Sequence, residues 1–249
     1  MGQRLGQHFL HRRVYLEKIT AAVSPANTVI EIGAGQGALT EHLLEVGNRV
    51  IAIELDPELV THLIVRFAGN PKLKVVAGDI LKTDLTQWGP ATVVGNLPYY
   101  ITSPVIERTL AMGRLLEKAV FLIQKEVGDR LLAKPGTRDY GFLTVTTQMF
   151  AEPKLVTKVP PSAFNPPPKV DSAVIKLTPR DASEHPPDPT PLIAFIGLCF
   201  RQKRKTLRNN LAPFFGNERV DSLPEAGKRA EQLTLAEFRK LYDQLVAVG

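Results

Sequence analysis

Four consecutive residues, Asn96-Leu97-Pro98-Tyr99, combine groups that suit a planar ligand carrying an exocyclic amine. The apolar run 91–94 before them predicts a buried strand of a parallel sheet, and such strands present functional residues at their carboxyl ends. Pro98 keeps Leu97 out of the α region, so the preceding carbonyls follow an extended path. The amide and a carbonyl then offer two acceptors, and the tyrosine ring offers one face. Adenine is such a ligand, although an arbitrary Asn-x-Pro is more often a polar turn.

The stretch 28–46 predicts an apolar strand, a glycine-rich turn and a helix, in that order. Gly33 and Gly35 let the backbone turn sharply and approach a ligand, and the helix offers free N–H groups at its amino end. The spacing Gly33-x-Gly35-x-x-Ala38 also matches the dinucleotide fingerprint. A dehydrogenase is therefore an alternative at this point.

Two acidic residues follow the next two predicted strands, 49–54 and 74–77. Glu54 lies about twenty residues beyond the glycine turn, where a carboxylate can accept the hydroxyls of a ribose. Asp79 is placed to accept a hydrogen bond from an adenine amine. A dinucleotide and a single adenosine with a short charged tail would both use Glu54. Only the single adenosine makes good use of Asp79.

A proline-rich loop, 160–169, separates two alternating segments, 155–159 and 170–177, which predict an antiparallel pair at the sheet edge. The prolines hold the loop in one path, and Phe164 in its middle has no obvious core partner. Phe164 is thus a candidate to cover the second face of a base. The alternative is that its ring tucks under the loop as a small satellite core.

The segment 181–191 is charged, proline-rich and aperiodic, which predicts a linker, and everything beyond it has a helical pattern. Five of the eight residues from Arg201 to Arg208 are basic and none is acidic. We expect this basic segment to be helical, with Arg201, Lys205 and Arg208 on one face that contacts phosphates. The candidate RNA-binding residues are Arg201, Lys203, Arg204, Lys205 and Arg208.

Composition and charge agree with a polyanionic partner: the formal net charge is +6 and the isoelectric point is near 9.4. The single cysteine, Cys199, lies in an apolar setting that predicts a core residue rather than a nucleophile. The apolar runs are too short for a membrane span, and the amino terminus lacks the apolar stretch of a signal peptide. We expect a cytoplasmic monomer with no membrane partner, and no metal ligands are predicted.

Together these motifs resemble one family, the ribosomal RNA adenine N6-dimethyltransferases, whose bacterial members modify two adjacent adenosines in a hairpin near the 3′ end of small-subunit rRNA. The match runs nearly end to end. The motifs that carry it are Gly6-Gln7-His8-Phe9-Leu10, Glu31-Ile32-Gly33-Ala34-Gly35, Ile53-Glu54, Gly78-Asp79, Asn96-Leu97-Pro98-Tyr99, Phe164 with Pro166-Pro167-Pro168-Lys169-Val170-Asp171-Ser172, and the basic segment 201–211. The glycine motif alone is weak, but Asn-Leu-Pro-Tyr together with that proline loop is strong. His8 stands where many relatives carry asparagine, and the segment before Gly6 is shorter than their basic arm.

The resemblance implies a Rossmann-like α/β fold of the class I S-adenosylmethionine-dependent methyltransferases with a small helical domain. It places the catalytic domain at 1–180 and a helical RNA-binding domain at 181–249. S-adenosylmethionine is the implied methyl donor, and the small ribosomal subunit with its rRNA is the implied partner. The implied cofactor contacts are His8, Leu10, Gly33, Gly35, Glu54, Asp79 and Asn96. The implied catalytic residues are Asn96, Leu97, Pro98, Tyr99 and Phe164.

The sequence leaves several other functions open. A nicotinamide-dependent oxidoreductase predicts NADH binding, but it explains neither the Asn96–Tyr99 motif nor the basic segment. A non-catalytic RNA-binding or assembly factor keeps the fold without turnover. Within the family, a large-subunit antibiotic-resistance methyltransferase and an organellar transcription-factor relative are alternatives. Leu97 and the pattern of the carboxyl-terminal helices favour the small-subunit enzyme.

Overall fold

A computed structural model describes residues 8–181 and 188–247 of the 249-residue chain. The chain forms two compact units. One, the sheet unit, holds the residues up to Gly128 together with Ala151–Pro179. The other, the helical unit, holds Asp129–Phe150 together with the residues from Arg180. Gly6 and Gln7 of the first motif, and most of the predicted linker, lie outside the described residues.

Within the described residues, seven strands of the sheet unit form one sheet, and two short strands pair with each other. The strands are β1 Phe9–Leu10, β2 Ala26–Ile32, β3 Gly47–Glu54, β4 Leu73–Ala77, β5 Ala91–Asn96, β6 Leu116–Gln124, β7 Ala151–Val159, β8 Phe164–Asn165 and β9 Ser172–Pro179. The large sheet has the order β4-β3-β2-β5-β6-β9-β7, and β1 pairs with β8.

The first five strands in this order are parallel, whereas β9 runs antiparallel to both β6 and β7. The predicted antiparallel pair at the sheet edge is thus confirmed. Residues 91–94 of β5 are fully buried, as expected for a parallel strand covered on both faces. Because β3 and β4 lie on one side of β2 and β5 lies on the other, the strand order reverses between β2 and β5. A ligand crevice is expected at the carboxyl ends of these strands.

Helices cover this sheet with apolar residues at helical spacing. The helices that begin in the sheet unit are α1 Arg13–Val23, α2 Ala38–Val46, α3 Pro57–Arg66, α4 Thr102–Leu110 and α5 Lys125–Leu131, the last of which runs into the helical unit. In α1, Leu16, Ile19 and Val23 share one buried cluster with Val120 and Val174 of the sheet. The side chain of Asp56 accepts the Glu58 N–H at 2.9 Å and caps α3.

The helical unit has its own apolar core. Its further helices are α6 Phe142–Phe150, α7 Thr190–Cys199, α8 Leu207–Phe215, α9 Asn217–Asp221 and α10 Leu235–Tyr242. Tyr140 is fully buried, and its hydroxyl donates to the Leu233 carbonyl at 2.9 Å. The prediction that Cys199 is a core residue is confirmed, and burial raises the pKa of its thiol to about 12.

The segment 129–150 groups differently from the predicted boundary at residue 180. It belongs to the helical unit, because Tyr140, Val145 and Met149 share a buried cluster with Leu192 and Phe195. Residues 140–150 show no clear apolar period because α6 buries Thr144, Thr146 and Thr147 beside Val145 and Met149.

Candidate active site

One cavity lies at the carboxyl ends of β2, β3, β4 and β5, where the strand order predicts a crevice. Nine of the eleven predicted cofactor and catalytic residues line it. They are His8, Gly33, Gly35, Glu54, Asp79, Asn96, Leu97, Pro98 and Tyr99. The other two, Leu10 and Phe164, line a second cavity that shares Gly33, Gly35 and Asn96 with the first.

The glycine turn after β2 adopts a backbone that other residues rarely take. Gly33 has φ +70° and Gly35 has φ +57°, both in the left-handed region. A Cβ on Gly35 would also sit 3.0 Å from a carbon of the Phe9 ring. This turn therefore requires glycine at residue 35 for two reasons, its dihedral angle and its contact with β1.

The Glu54 carboxylate at the end of β3 is fixed by backbone donors. It accepts the N–H of Gly35 at 2.8 Å on Oε2, and the N–H groups of Leu55 and Asp56 at 2.8 and 3.0 Å on Oε1. A carboxylate has about four acceptor positions, so roughly one position, on Oε2, remains for a ligand. The structure thus fits the predicted ribose contact but narrows it to about one strong hydrogen bond.

Asp79 after β4 keeps one carboxylate oxygen for a ligand. Its Oδ1 accepts the Leu81 N–H at 2.9 Å, while its Oδ2 has no hydrogen-bond partner among the described residues. The neighbouring Gly78 N–H donates to the Glu54 carbonyl at 2.9 Å, which fixes this loop to the end of β3. Asp79 therefore lines the cavity with one carboxylate oxygen, Oδ2, that accepts no hydrogen bond from the described residues.

Asn96 at the end of β5 is held through one half of its amide. Its Nδ2 donates to the His8 carbonyl at 2.8 Å, and its Oδ1 has no partner in the described part of the chain. The Leu97 N–H donates to the Leu122 carbonyl at 3.0 Å, whereas the carbonyl of Leu97 accepts no hydrogen bond from the described residues. Two consecutive residues that line the cavity thus each carry an acceptor that is unpaired within the described residues.

The Tyr99 ring is positioned by two neighbours. Its hydroxyl lies 3.3 Å from the hydroxyl of Ser172, a fully buried residue at the start of β9. Its ring centroid lies 5.9 Å from that of His8, with the planes tilted by 30°. The sequence predicts Tyr99 but gives no signal for its contact with Ser172, which is 73 residues away.

Strands β1 and β8 form a strap beside the glycine turn. Phe9 lies opposite Asn165 and Leu10 lies opposite Phe164. The His8 Nδ1 makes a hydrogen bond of 2.8 Å with the Pro166 carbonyl, which extends the pairing by one residue. The strap joins the amino-terminal segment to the proline loop, an arrangement that the sequence does not predict.

Phe164 differs from its prediction because the strap buries it. Its side chain is only 3% exposed and belongs to the cluster formed by α1, α2 and the sheet. The prediction that this ring lacks a core partner is wrong, and it does not share the first cavity with Tyr99. Leu10, its partner across the strap, is buried in the same cluster, away from the first cavity.

The second cavity contains a buried carboxyl group, that of Glu31 in β2, which sequence reasoning mentions only as part of a motif. Glu31 is 2% exposed, and its Oε2 accepts the Thr40 hydroxyl at 2.6 Å. Burial raises the pKa of Glu31 to about 8, the Thr40 hydrogen bond opposes this shift, and the charge of Glu54 adds to it. The available signal is an acid within an otherwise apolar strand.

The basic segment of the helical unit is not the predicted helix. Residues 201–205 lie in turns, and α8 begins only at Leu207. The Asn210 side chain donates to the Cys199 carbonyl at 2.8 Å and accepts the Gln202 N–H at 3.1 Å, which ends α7 and holds the turn. The prediction that Arg201, Lys205 and Arg208 share a helical face is therefore wrong.

The five predicted RNA-binding cations differ in their partners. Arg208 makes a two-pronged ion pair with Asp221, Lys203 donates to the Arg138 carbonyl at 3.0 Å, and Arg201 lies over the exposed Phe214 ring. The side chains of Arg204 and Lys205 have no hydrogen bond or ion pair within the described residues. These two are the cations that remain available to an anionic ligand.

The sheet order, the glycine turn and the strand-end acids define a class I methyltransferase fold with an added helical unit. Comparison with solved structures agrees: a dimethyladenosine transferase from Plasmodium falciparum superposes with a TM-score of 0.82 at 30% identity, covering 94% of this chain and 96% of that one. The 23S rRNA methyltransferase ErmE superposes with a TM-score of 0.72 at 28% identity, covering 95% and 99%.

The chain belongs to the ribosomal RNA adenine dimethylase family, whose profile matches residues 2–245. A curated relative, ribosomal RNA small subunit methyltransferase A of Pseudomonas fluorescens, is 41% identical over 251 residues. That match covers 98% of this chain and 93% of the relative. The family resemblance drawn from the motifs is confirmed. No helix in 8–181 or 188–247 has the length and apolar character needed to cross a bilayer.

Proposed function

We propose that this protein is an enzyme that dimethylates N6 of two adjacent adenosines in the 3′-terminal hairpin of small-subunit rRNA, as part of subunit maturation. The observation that carries the proposal is a pair of acceptors, Asn96 Oδ1 and the Leu97 carbonyl, that have no partner among the described residues and belong to residues lining the cavity with Tyr99. The name of the curated relative, 41% identical over nearly the whole chain, supports the small subunit as the source of the RNA.

S-adenosylmethionine fits the residues of the cavity. Gly33 and Gly35 of the glycine turn line the cavity, Glu54 keeps about one acceptor position and Asp79 keeps Oδ2. Glu54 would bind the ribose, Asp79 the adenine amine, and His8, Gly33 and Gly35 the amino-acid end, with Asn96 between cofactor and substrate. When bound, this cofactor supplies a methyl group already activated on a sulfonium, so the protein needs no strong base.

The chain's own role is to make a poor nucleophile reactive. The N6 lone pair of adenine is delocalised into the ring, and hydrogen bonds from N6 to Asn96 Oδ1 and the Leu97 carbonyl favour a pyramidal nitrogen with a localised lone pair. The hydrogen bond from Asn96 Nδ2 to the His8 carbonyl fixes which amide atom faces the substrate. Asn96 and Leu97 carry no group that titrates near neutral pH, so the displaced N6 proton passes to water.

The target base must leave its stack to reach this cavity. Tyr99 supplies one face for the extruded base, and its hydroxyl contact with Ser172 limits rotation of the ring. The buried position of Phe164 supports a role in packing the strap rather than in covering the second face of the base. Tyr100, which lines the same cavity and is 65% exposed, is the aromatic residue nearest in sequence to share that task.

RNA affinity would come in part from the basic segment, where Arg204 and Lys205 have no protein partner among the described residues. Phosphate contacts of this kind position a substrate without reading its sequence. The choice of two particular adenosines must then come from the cavity and from the shape of the hairpin.

The alternative, a large-subunit rRNA adenine N6-methyltransferase of the antibiotic-resistance type, has one observation in its favour, the fold similarity to ErmE. The higher identity to the small-subunit relative, 41% against 28%, favours the small-subunit function.

The decisive experiment incubates the protein and radiolabelled S-adenosylmethionine with unmethylated small or large ribosomal subunits and maps the modified nucleotides. The proposal requires N6,N6-dimethyladenosine at two adjacent positions of the small-subunit rRNA. Methylation confined to large subunits would establish the alternative, and cofactor binding without transfer to either subunit would favour a non-catalytic factor. Calorimetry with NADH tests the oxidoreductase alternative, which requires NADH binding.

A further inference from the structure

Three lysines lie on one face of the sheet at the edge formed by β6, β9 and β7. Lys154 of β7 lies directly opposite Lys176 of β9, and Lys176 lies opposite Val120 of β6. Residues opposite each other on antiparallel strands, and residues two apart on one strand, project from the same face. Lys118 therefore lies diagonally beside Lys176 on that face. We call Lys118, Lys154 and Lys176 the lysine ladder.

The positive charge of the lysine ladder is largely unmatched. Only Lys154 has a carboxylate partner, Glu152, at 3.2 Å, and both of these side chains are more than half exposed. Within the described residues, no carboxylate lies within ion-pairing distance of Lys118 or Lys176. Burial lowers the pKa of Lys118, and the charge of Lys176 lowers it further, while Glu117 opposes the shift. Like charges on facing strands are destabilising, so this arrangement costs the fold some stability.

Structural roles account for two of the three lysines but not for the third. A lysine on an edge strand deters pairing with other sheets, which explains Lys154 on β7. Lys118 donates to the Pro25 carbonyl at 3.1 Å, just beyond the carboxyl end of α1, and stabilises that end. Lys176 lies on an inner strand, half-buried, with no hydrogen bond to the described residues.

We propose that the lysine ladder binds the phosphodiester backbone of the RNA substrate, as a contact surface on the sheet unit separate from the basic segment. The proposal rests on the proposed function, which supplies an RNA. Facing and diagonal side chains of a sheet start about 5 to 8 Å apart. Cations spread over this span along three neighbouring strands suit a repeating anion better than one small ion. Lys18 extends the surface, because it donates to Thr157, which is on the same face as Lys176.

The test compares Lys154→Gln/Lys176→Gln with a matched control, Lys74→Gln, which removes an exposed lysine from β4 at the other edge of the same sheet. Binding of the full chain to a transcript of the complete small-subunit rRNA is measured from about 50 to about 200 mM salt. Each lost phosphate contact lowers the slope of log affinity against log salt by about 0.7 to 0.9. The slope of log affinity against log salt should therefore be smaller by about 1.4 to 1.8 for the double variant. Over this salt range, the affinity of the double variant should fall about tenfold less than that of the unaltered chain.

The control variant should keep the slope of the unaltered chain, and Lys176→Arg should keep it too because the charge is retained. Equal slopes for the double variant and Lys74→Gln would overturn the proposal. So would weaker binding to intact subunits with unchanged binding to the naked transcript, because that result points to a ribosomal protein. Calorimetric affinity for S-adenosylmethionine and the melting temperature report folding. If Lys176→Gln perturbs these, Lys154→Gln alone must still lower the slope by about 0.7 to 0.9.

This outcome is independent of the outcome for the proposed function. Unaltered protein that binds the transcript through the ladder but transfers no methyl group would overturn the proposed function and leave the ladder in place. If the protein dimethylates the small subunit but the salt dependence of its RNA binding is the same with and without Lys154 and Lys176, only the proposal for the lysine ladder is overturned.

Discussion

The cavity of the sheet unit and the basic segment of the helical unit hold their polar groups in opposite ways. In the cavity, Glu54 accepts three backbone N–H groups and Asn96 is fixed by the His8 carbonyl. In the basic segment, Arg204 and Lys205 project from turns and their side chains have no partner within the described ranges. The cavity is organised before a ligand arrives, whereas the segment offers charge on long, adaptable side chains.

The difference agrees with the roles proposed for the two regions. Activation of an amine requires acceptors fixed in direction, because their effect depends on meeting charge as it develops. Phosphate binding depends mainly on the number of positive charges and tolerates variable geometry. Mutations in the cavity should therefore change rates and stability strongly, while mutations in the basic segment should change salt dependence and leave the fold intact.

The largest expected effect on stability comes from Glu31→Gln. Because burial raises the pKa of Glu31 from 4.5 to about 8, the folded chain binds a proton that the unfolded chain releases between these values. Stability from this group is highest below about pH 4.5 and falls as pH rises towards about 8. The neutral glutamine avoids that loss, so the variant should gain stability over the unaltered chain by at most roughly 5 kcal/mol above pH 8. Urea unfolding from pH 5 to pH 9 measures the difference.

Glu237 of the helical unit is the matched control, because its pKa shifts the other way. The Lys228 ammonium and the Thr234 N–H lower the pKa of Glu237 to about 2. Its contribution is present above pH 4.5 and is lost as pH falls through about 2. Glu237→Gln should thus be less stable than the unaltered chain at neutral pH and converge with it in acid. Stability differences of the same sign for the two variants at neutral pH would contradict the opposite pKa shifts of Glu31 and Glu237.

Asn96→Ala should have the largest effect on catalysis. Loss of one preorganised polar group that acts in the transition state typically lowers the rate by about 100- to 1,000-fold. Single-turnover methyl transfer to unmethylated small subunits measures it, with cofactor affinity determined separately by calorimetry. Asn48→Ala is the control, since within the described ranges the Asn48 side chain bonds only to Asn27, at an exposed site. A rate reduced less than about tenfold would argue against Asn96 as an acceptor for N6.

The strand ends of the cavity could be predicted because their cause is local. Apolar runs place Glu54, Asp79 and Asn96 at the carboxyl ends of parallel strands, and parallel topology brings those ends to one edge. Asp79 also distinguishes a single adenosine ligand from a dinucleotide. These positions need no knowledge of how distant segments pair.

The strap and the basic segment could not be predicted because their cause is tertiary. His8 and Pro166 are 158 residues apart, and strands of two residues are too short to show a periodicity. That pairing is what buries Phe164. The start of α8 likewise depends on hydrogen bonds of Asn210 with Cys199 and Gln202, which a count of basic residues does not reveal.

Gly35→Ala tests how strictly the turn is shaped, with Gly69→Ala as control. Both glycines have positive φ, +57° and +78°. A new Cβ at Gly35 would lie 3.0 Å from the Phe9 ring, whereas a new Cβ at Gly69 would have nothing within 4 Å. The backbone cost of about 1–2 kcal/mol should be common to both variants. Gly35→Ala should lose about 1 kcal/mol more, together with affinity for S-adenosylmethionine. Equal unfolding free energies would show that the strap moves freely away from the turn.

The smallest effect on stability is expected in the basic segment, and it separates Arg208 from its neighbours. Arg208 is paired with Asp221, and both side chains are about half exposed, so Arg208→Gln should cost at most about 1 kcal/mol. Arg204→Gln/Lys205→Gln should leave stability unchanged. Salt dependence of RNA binding should respond in the reverse order, and the double variant should lose about 1.4 to 1.8 from the slope. Arg208→Gln should lose little, because two hydrogen bonds hold its guanidinium to Asp221, unlike the single, more exposed contact of Lys154 with Glu152. A slope that falls as much for Arg208→Gln as for the unpaired cations would mean that RNA displaces Asp221. The ion pair between Arg208 and Asp221 would then exist only in the free protein. The helical unit would rearrange its charged side chains when RNA binds, whereas the cavity would keep its arrangement.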